Sequence, residues 1–301
     1  MNGQREEKRY TFFINPVSGR GDWYRIMKRI RNYCRKNGCI PEFYFTGDDE
    51  KIREVLDRKE REGAKVVFAV GGDGTINQMA RLMVGRDLVL GIVPAGSGNG
   101  LAGHLGIPRH PRKALQVLED PQIEEMDYAR INGIPFFTTA GVGFDAEVTR
   151  HFNQGPRRGL IGYVESILKV VQRYKPEKYE IEYDGKKKVV NAFLVTFANA
   201  SEYGNGAFIA PEADTSDGYL DVSVLKPFPV TAVPGLLIRL FTKRINRSKY
   251  VETLRVRNLR VVKDRPGSLH FDGEGHSHDG EIEVSTIPRK LKVLTRKKKK
   301  G

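Results

Sequence analysis

Residues 66–75 read VVFAVGGDGT: five apolar residues in the manner of a buried strand, then three glycines around one carboxylate. Glycines fill a core poorly. They suit a place where the backbone turns sharply and another molecule comes close. The construction occurs four times, each time behind a strand-like stretch: NPVSGRGD (15–22), TGDDE (46–50), GGDGT (71–75) and PAGSGNGLA (94–102).

The stretches between these turns set the fold. YTFFINP (10–16), PEFYFT (41–46), KVVFAV (65–70) and LVLGIVPAG (88–96) have strand character. WYRIMKRIRNYCRKNG (23–38), DEKIREVLDRKEREG (49–63) and TINQMARLMVG (75–85) place apolar residues at helical spacing. Strand and helix in alternation predict an open, parallel, Rossmann-like α/β sheet covered on both faces. Ligands of such sheets bind beyond the carboxyl ends of the strands. The four turns then converge on one crevice, where backbone amides freed by glycine hold phosphate oxygens. There is no Walker loop, and no Gly-x-Gly-x-x-Gly opens a helix after the first strand. Asp73 is placed either to order its loop or to face a nucleotide's metal, and Thr75 is a candidate N-cap.

Beyond Met126 the rhythm changes. DYARINGIPFFTTAGVGF, KYEIEYDGKKKVVNAFLVTFANA, YLDVSVLK, ETLRVRNLRVVK and EIEVSTIP are strands joined by turns, two of them carrying Asp-Gly or Asn-Gly. This predicts a mainly antiparallel β-sandwich, with helices near 157–174 and 231–246. The expected organisation is an α/β domain over 1–126, a β-rich domain over 127–288 and a basic tail over 289–301.

The formal net charge is +14. Residues 289–301 hold eight Lys or Arg and no acid, so the tail explains much of it. Aromatic residues are not interleaved with basic ones, which argues against nucleic acid as a partner. No apolar run approaches the roughly 18 residues of a transmembrane helix, and the polar N-terminus lacks a secretory pattern. A cytoplasmic protein with two reduced cysteines, Cys34 and Cys39, is expected. His276 and His278 lie among Asp272, Glu274 and Asp279, but no third firm zinc ligand is spaced for them, and a surface loop is the expected reading.

GGDGTIN with GSGNGLA resembles the diacylglycerol kinase catalytic family, which includes bacterial diacylglycerol kinases, YegS-like proteins, sphingosine kinases and ceramide kinases. NPVSGRG, TAGVGFDAEV (139–148), YGNGAFIAPEADTSDGYLDV (203–222) and FDGEG (271–275) resemble further family segments in the same order. The resemblance implies an NAD-kinase-like two-domain plan and transfer of the γ-phosphoryl group of ATP, bound in the inter-domain cleft, to a lipid hydroxyl. It assigns the nucleotide to the 1–126 domain, and lipid, general base and structural metal to the 127–288 domain. Carried over by residue, Asn15, Thr46, Gly71, Gly72, Asp73, Gly74, Thr75, Asn77, Gly96 and Ser97 line the ATP, with Glu274 close by. Asp272 matches the general base. Asp217 matches a ligand of a structural Mg²⁺, completed by the backbone carbonyls of Asp214 and Tyr219, while Asp73 acts near the catalytic Mg²⁺.

The acceptor is open at this level. Diacylglycerol is the first candidate, which would place the chain in phospholipid biosynthesis. GSGNGLA looks closer to sphingosine kinases, which place a substrate-binding acid two residues beyond the usual Asp of the GFDAEV segment. This chain has acids at both places, Asp145 and Glu147, and an acid there would pair with a sphingoid amine. An NAD kinase-like phosphotransferase and a non-catalytic nucleotide- or lipid-binding regulator are the alternatives. The lipid would be met at an anionic membrane surface by peripheral contact, through the basic amphipathic stretch VPGLLIRLFTKRINRSK (233–249) or the Lys-rich tail. A homodimer formed through a strand edge is a further possibility.

Overall fold

The computed structural model describes residues 8–17, 23–155, 159–171, 173–263, 266–278 and 280–296. The chain divides into two compact units, one of residues 1–125 together with the segment from Lys290, the other of residues 126–289.

In the first unit β1 (Lys8–Ile14), β2 (Cys39–Phe45), β3 (Val66–Gly71) and β4 (Val89–Pro94) form a parallel sheet in the order β2-β1-β3-β4. Phe12, Phe13 and Ile14 are consecutive and all buried, as are Val67 to Val70. Side chains of a strand alternate between faces, so both faces are covered. The covering elements include α1 (Trp23–Asn37), α2 (Asp49–Arg61) and α3 (Asp73–Met83). On α1 the buried residues are Ile26, Met27, Ile30, Tyr33 and Cys34, one stripe at helical period. Asp48 caps α2, accepting the Glu50 N–H at 2.9 Å. The sequence expectation placed Thr75 at the N-cap of α3. The structure puts Gly72 there, because the helix already starts at Asp73 and the Thr75 side chain is buried within its first turn. The strand order reverses between β1 and β3, so the loops at Asn15 and Gly71 flank the switch point at which ligands of open α/β sheets bind. Beyond β4 come α4 (Gly100–His104), α5 (Pro111–Ala114) and the first part of β5 (Pro121–Ile131).

The second unit continues β5 and adds β6 (Ile134–Phe136), β7 (Thr139–Gly143), α6 (Phe144–Gln154) and α7 (Gly159–Val171). Next are β8 (Glu177–Tyr183), β9 (Lys186–Ala192), β10 (Leu194–Ala198), β11 (Leu220–Leu225), α8 (Val233–Phe241), β12 (Val251–Val256) and β13 (Asn258–Val262). The last strands are β14 (Gly267–Phe271), β15 (Glu274–His278) and β16 (Glu281–Arg296). One antiparallel sheet runs β12-β11-β10-β7-β14-β15; in the other, β9, β8, β13 and the first half of β16 pair antiparallel. Val195, Phe197, Val222 and Phe271 of the former pack with Tyr179, Ile181, Val261 and Ile282 of the latter, making the expected sandwich core. Three of its hairpins turn on Asn132-Gly133, Asp184-Gly185 and Asp272-Gly273, every one of these residues at positive φ. That is the two-residue turn whose twist matches the flanking strands.

The basic tail expected over 289–301 requires a correction. Residues up to Arg296 belong to β16, and Lys292 and Val293 pair in parallel with Val89 and Leu90 of β4. Leu291, Val293 and Leu294 are buried in the first unit, an apolar set hidden in the sequence among basic neighbours. Residues 297–301 lie outside the described residues, as does the 18–22 part of the first glycine turn. Among the described residues no helix is long and apolar enough to cross a membrane.

Candidate functional site

In the first unit the loops after β1, β3 and β4 interlock. Asn15 Nδ2 donates to Thr75 Oγ1 at 3.0 Å, while Asn15 Oδ1 accepts the Val17 N–H at 2.9 Å. The Thr46 N–H donates to the Ile14 carbonyl at 2.9 Å, bringing that turn to the end of β1. Asp73 reaches across to the next loop, where its two oxygens accept the N–H groups of Asn99 at 2.7 Å and Gly100 at 2.6 Å. Burial pushes the Asp73 carboxyl above the ordinary range, with those N–H bonds opposing. Of the two roles open to Asp73, its contacts are those of loop ordering. Asn99, which sequence reasoning passed over, sits at φ 58° and clasps Gly96, accepting from its N–H at 3.2 Å and donating to its carbonyl at 2.7 Å. An asparagine between glycines is a recognisable left-handed candidate. Ser97 and Gly74 are exposed at the surface of these loops, and Asn77 Oδ1 is buried without a hydrogen-bond partner among the described residues.

The glycines have individual reasons. A Cβ on Gly71 would overlap the Thr75 side chain, and one on Gly96 would overlap the Gly72 Cα. A Cβ on Gly72 would lie 3.2 Å from the Gly96 Cα, and one on Gly98 2.5 Å from Asp73 Oδ2. Gly72 and Gly96 let two loops meet backbone to backbone, while Gly71 and Gly98 make room for the side chains of Thr75 and Asp73. Gly74 differs: nothing lies within 4 Å of where its Cβ would be.

In the second unit Asp272 occupies the first turn position between β14 and β15 at φ 49°. Its carboxylate is turned back onto the chain between β6 and β7. There it accepts the Phe137 N–H at 3.0 Å, the Thr138 N–H at 2.8 Å and the Thr138 hydroxyl at 2.5 Å. Asp184, at the same position of the β8–β9 turn, is exposed. Geometry therefore separates one Asp-Gly turn from the other. Thr138 is 134 residues away along the chain and carries no signal in the sequence. Glu274 is exposed on β15, its carboxylate 3.9 Å from His276 Nε2. The His276 ring stacks on Phe271 at 4.0 Å. The described residues contain no group of three or more His, Cys, Asp or Glu placed to hold a metal.

Asp145 is buried, and its oxygens are already used. Oδ2 accepts from the hydroxyls of Thr196 at 2.7 Å and Tyr203 at 3.1 Å and lies 3.0 Å from His270 Nε2, while Oδ1 accepts the Ala146 N–H at 2.9 Å. Glu147 accepts from Ser268 at 2.7 Å and pairs with Arg150 at 2.6 Å. Beside this network is a cavity of about 80 Å³ lined by Phe144, Val148, Leu194, Phe228, Leu237 and Leu240, with Asp145 and Tyr203 as its polar residues. The apolar side of α8 takes part in it: Val233 and Leu240 are buried. The stretch expected to meet a membrane thus turns its apolar face into the second unit, leaving Ile238 exposed.

Asp214, Asp217 and Tyr219 share the loop before β11. Asp217 Oδ1 accepts the Tyr219 N–H at 2.8 Å, its Oδ2 meets the Arg255 guanidinium, and Asp214 Oδ1 accepts from the Ser216 N–H and hydroxyl at 2.9 and 2.7 Å. Asp127, buried and unforeseen, ties the loop down by accepting the N–H groups of Gly218 at 2.6 Å and Arg289 at 2.8 Å. Asp221 on β11 is pushed up to about 6, chiefly by burial; Arg255 opposes the shift, and Asp217, Glu212 and Asp214 add to it. A carboxyl raised in the folded state favours folding when protonated. Stability should therefore fall as pH rises from about 4 to about 6. Asp221→Asn should remove that fall and stabilise the protein at pH 7 by on the order of 1–2 kcal/mol. It should be neutral near pH 4, as read from urea midpoints at the two values.

Comparison with known proteins agrees with this architecture. The family model described as diacylglycerol kinase catalytic domain matches residues 9–131, and that described as YegS C-terminal NAD kinase beta sandwich-like domain matches residues 138–295. A diacylglycerol kinase from Mycobacterium tuberculosis (strain ATCC 25618 / H37Rv) is 30% identical over 300 residues, covering 97% of this chain and 96% of that protein. A diacylglycerol kinase from Bacillus subtilis (strain 168) is 27% identical, with coverage of 89% and 90%. The solved structure of a diacylglycerol kinase from Bacillus anthracis str. Sterne superposes with TM-score 0.71 at 16% identity over 97% of this chain and 98% of that one, a likeness of fold. On the two matched regions and the mycobacterial relative together, the chain belongs to the diacylglycerol kinase catalytic-domain family, with a YegS-type C-terminal sandwich.

Proposed function

We propose that this chain is an ATP-dependent lipid kinase that moves the γ-phosphoryl group of Mg·ATP to the hydroxyl of a neutral lipid, with diacylglycerol the first candidate. Gly74 is the observation that carries the nucleotide half. Its neighbours Gly71, Gly72, Gly96 and Gly98 are glycine because the protein itself fills the space of a side chain. At Gly74 that space is open, and glycine is a poorer helix former than alanine, by up to about 1 kcal/mol in a helix interior. A ligand approaching the backbone supplies the missing reason. The N-cap of α3, Gly72, offers no side-chain acceptor, so the helix start is left for an anion such as phosphate. In this reading Asn15, Thr46, Asn77, Ser97 and the backbone at Gly71, Gly72, Gly74 and Gly96 surround the nucleotide. Asp73 and Thr75 hold the loops in place, and the magnesium ion that arrives with ATP neutralises phosphate charge. Asp272 takes or orients the acceptor's hydroxyl proton as that oxygen attacks the γ-phosphorus. Glu274 assists from the neighbouring strand.

Charge favours a neutral acceptor. A sphingoid amine asks for an available carboxylate, whereas Asp145 and Glu147 are both engaged within the second unit. The cavity beside Asp145 is lined mainly by apolar side chains and offers no free charge to an amine. Access to the lipid is by peripheral contact with an anionic surface, for which Ile238 with Arg239, Lys243 and Arg244 is the exposed candidate.

Gly74→Ala separates ligand from fold. It should raise the stability of the nucleotide-free protein by about 0.5–1 kcal/mol, yet weaken ATP binding by about tenfold or more, a loss of at least ~1.4 kcal/mol. Urea unfolding and nucleotide binding, measured in parallel, read the two effects. Equal ATP affinity in the variant would remove the nucleotide from this loop. Labelled phosphate transfer to diacylglycerol, sphingosine, ceramide and NAD then ranks the acceptors, and transfer to NAD would displace the lipid reading.

A further inference from the structure

The loop 212–219 is the segment in which the family resemblance expects a structural Mg²⁺, and its donors fit that ion poorly. Mg²⁺ demands near-octahedral oxygen coordination, and a carboxylate ligand must turn an oxygen to the ion that no other cation occupies. Here Asp217 spends one oxygen on the Tyr219 N–H and the other on the Arg255 guanidinium. Asp217 is the one side chain that the resemblance assigns to the ion, so its engagement removes the charged ligand of the set. The turn is fixed again from beneath, since the Gly218 N–H donates to Asp127 at 2.6 Å.

We propose that Arg255 is the resident cation of this loop, performing with a guanidinium what a bound divalent ion would otherwise do. The placement is built into the sheet. Antiparallel pairing of β11 with β12 sets Arg255 directly opposite Asp221, one turn of loop from Asp217. Its guanidinium carbon lies 5.0 Å from the centroid of the Tyr219 ring, and that of Arg257 lies 4.8 Å from it. A planar, always-charged group that can meet a carboxylate edge-on and an aromatic ring face-on suits this corner better than lysine would. The guanidinium thus serves two carboxylates, Asp217 by direct contact and Asp221 across the strand pair. A covalently attached cation is present whatever the Mg²⁺ concentration. The inference concerns the folding of the loop alone and stands apart from the magnesium that accompanies ATP.

Thermal unfolding of the 301-residue chain without nucleotide, in excess EDTA and in millimolar Mg²⁺, tests it. The unsubstituted protein should unfold at the same midpoint in both buffers. Arg255→Met should unfold about 2–4 °C lower in EDTA, and any regain in Mg²⁺ would show an ion entering the vacated corner. Two results overturn the inference. One is a midpoint that drops in EDTA and recovers with Mg²⁺ in the unsubstituted protein but not in Asp217→Asn. The other is an Arg255→Met protein that unfolds with the unsubstituted one, and Arg255 is half-exposed, so that variant should remain foldable.

Discussion

Asp272→Asn should lower phosphoryl transfer to the lipid by about 10²–10⁴-fold while leaving ATP affinity unchanged. Asparagine tolerates the left-handed backbone of the turn, so the hairpin should survive. Its side-chain oxygen can still accept the Thr138 N–H; its amide nitrogen must face donors where a carboxylate oxygen accepted, at a stability cost of about 1–3 kcal/mol. The amide cannot take a proton from the acceptor. Turnover measured at saturating ATP, with nucleotide binding measured alongside, decides the matter. A variant within tenfold of the unsubstituted rate would leave Asp272 as a turn residue and require another base.

Gly96→Ala should be strongly destabilising to the first unit. The added carbon would overlap the Gly72 Cα, and it would sit 3.2 Å from Asn99 Oδ1, the atom that clasps this loop. Backbone stands on one side and, on the other, an amide that bonds Gly96 through both its oxygen and its nitrogen, so neither neighbour swings aside freely. A destabilisation of about 3 kcal/mol is expected, at the upper end for a forced methylene. Loss of ATP binding should accompany it, because the two loops can no longer close on each other. The contrast with Gly74→Ala is informative: the same chemical change a short distance away should stabilise the fold. A Gly96→Ala protein with an unchanged urea midpoint would mean that the loops do not meet as described.

Much of the fold is legible in the sequence because it rests on local rules. Apolar runs such as VVFAV and LVLGIV announce buried parallel strands, and Asp-Gly and Asn-Gly mark the hairpins. The alternation of elements fixes the class. What escapes is what depends on pairing between distant segments. The carboxylate of Asp272 is oriented by Thr138, and Asp217 is met by Arg255; no periodicity links either pair. Thr75 looks like a helix cap until its hydroxyl is found receiving a hydrogen bond from Asn15. The final strand was hidden for a different reason: its Leu291, Val293 and Leu294 sit among lysines and arginines whose charge dominates the composition of that stretch. Glycines were legible as a group but not individually, since sequence cannot tell a glycine that makes room for another loop from one that makes room for a ligand.

The last strand has a consequence for how the protein is made. The first unit takes a strand from the end of the chain, so β4 leaves the ribosome with its outer edge unpaired and stays so while the whole sandwich is synthesised. An open edge of Val89 and Leu90 is the kind that recruits foreign strands. The loops after β1, β3 and β4 therefore rest, throughout translation, on a sheet that is one strand short. The second unit, whose residues are contiguous from 126 to 289, can complete its own core first. Synthesis order thus makes the N-terminal unit the later of the two to close.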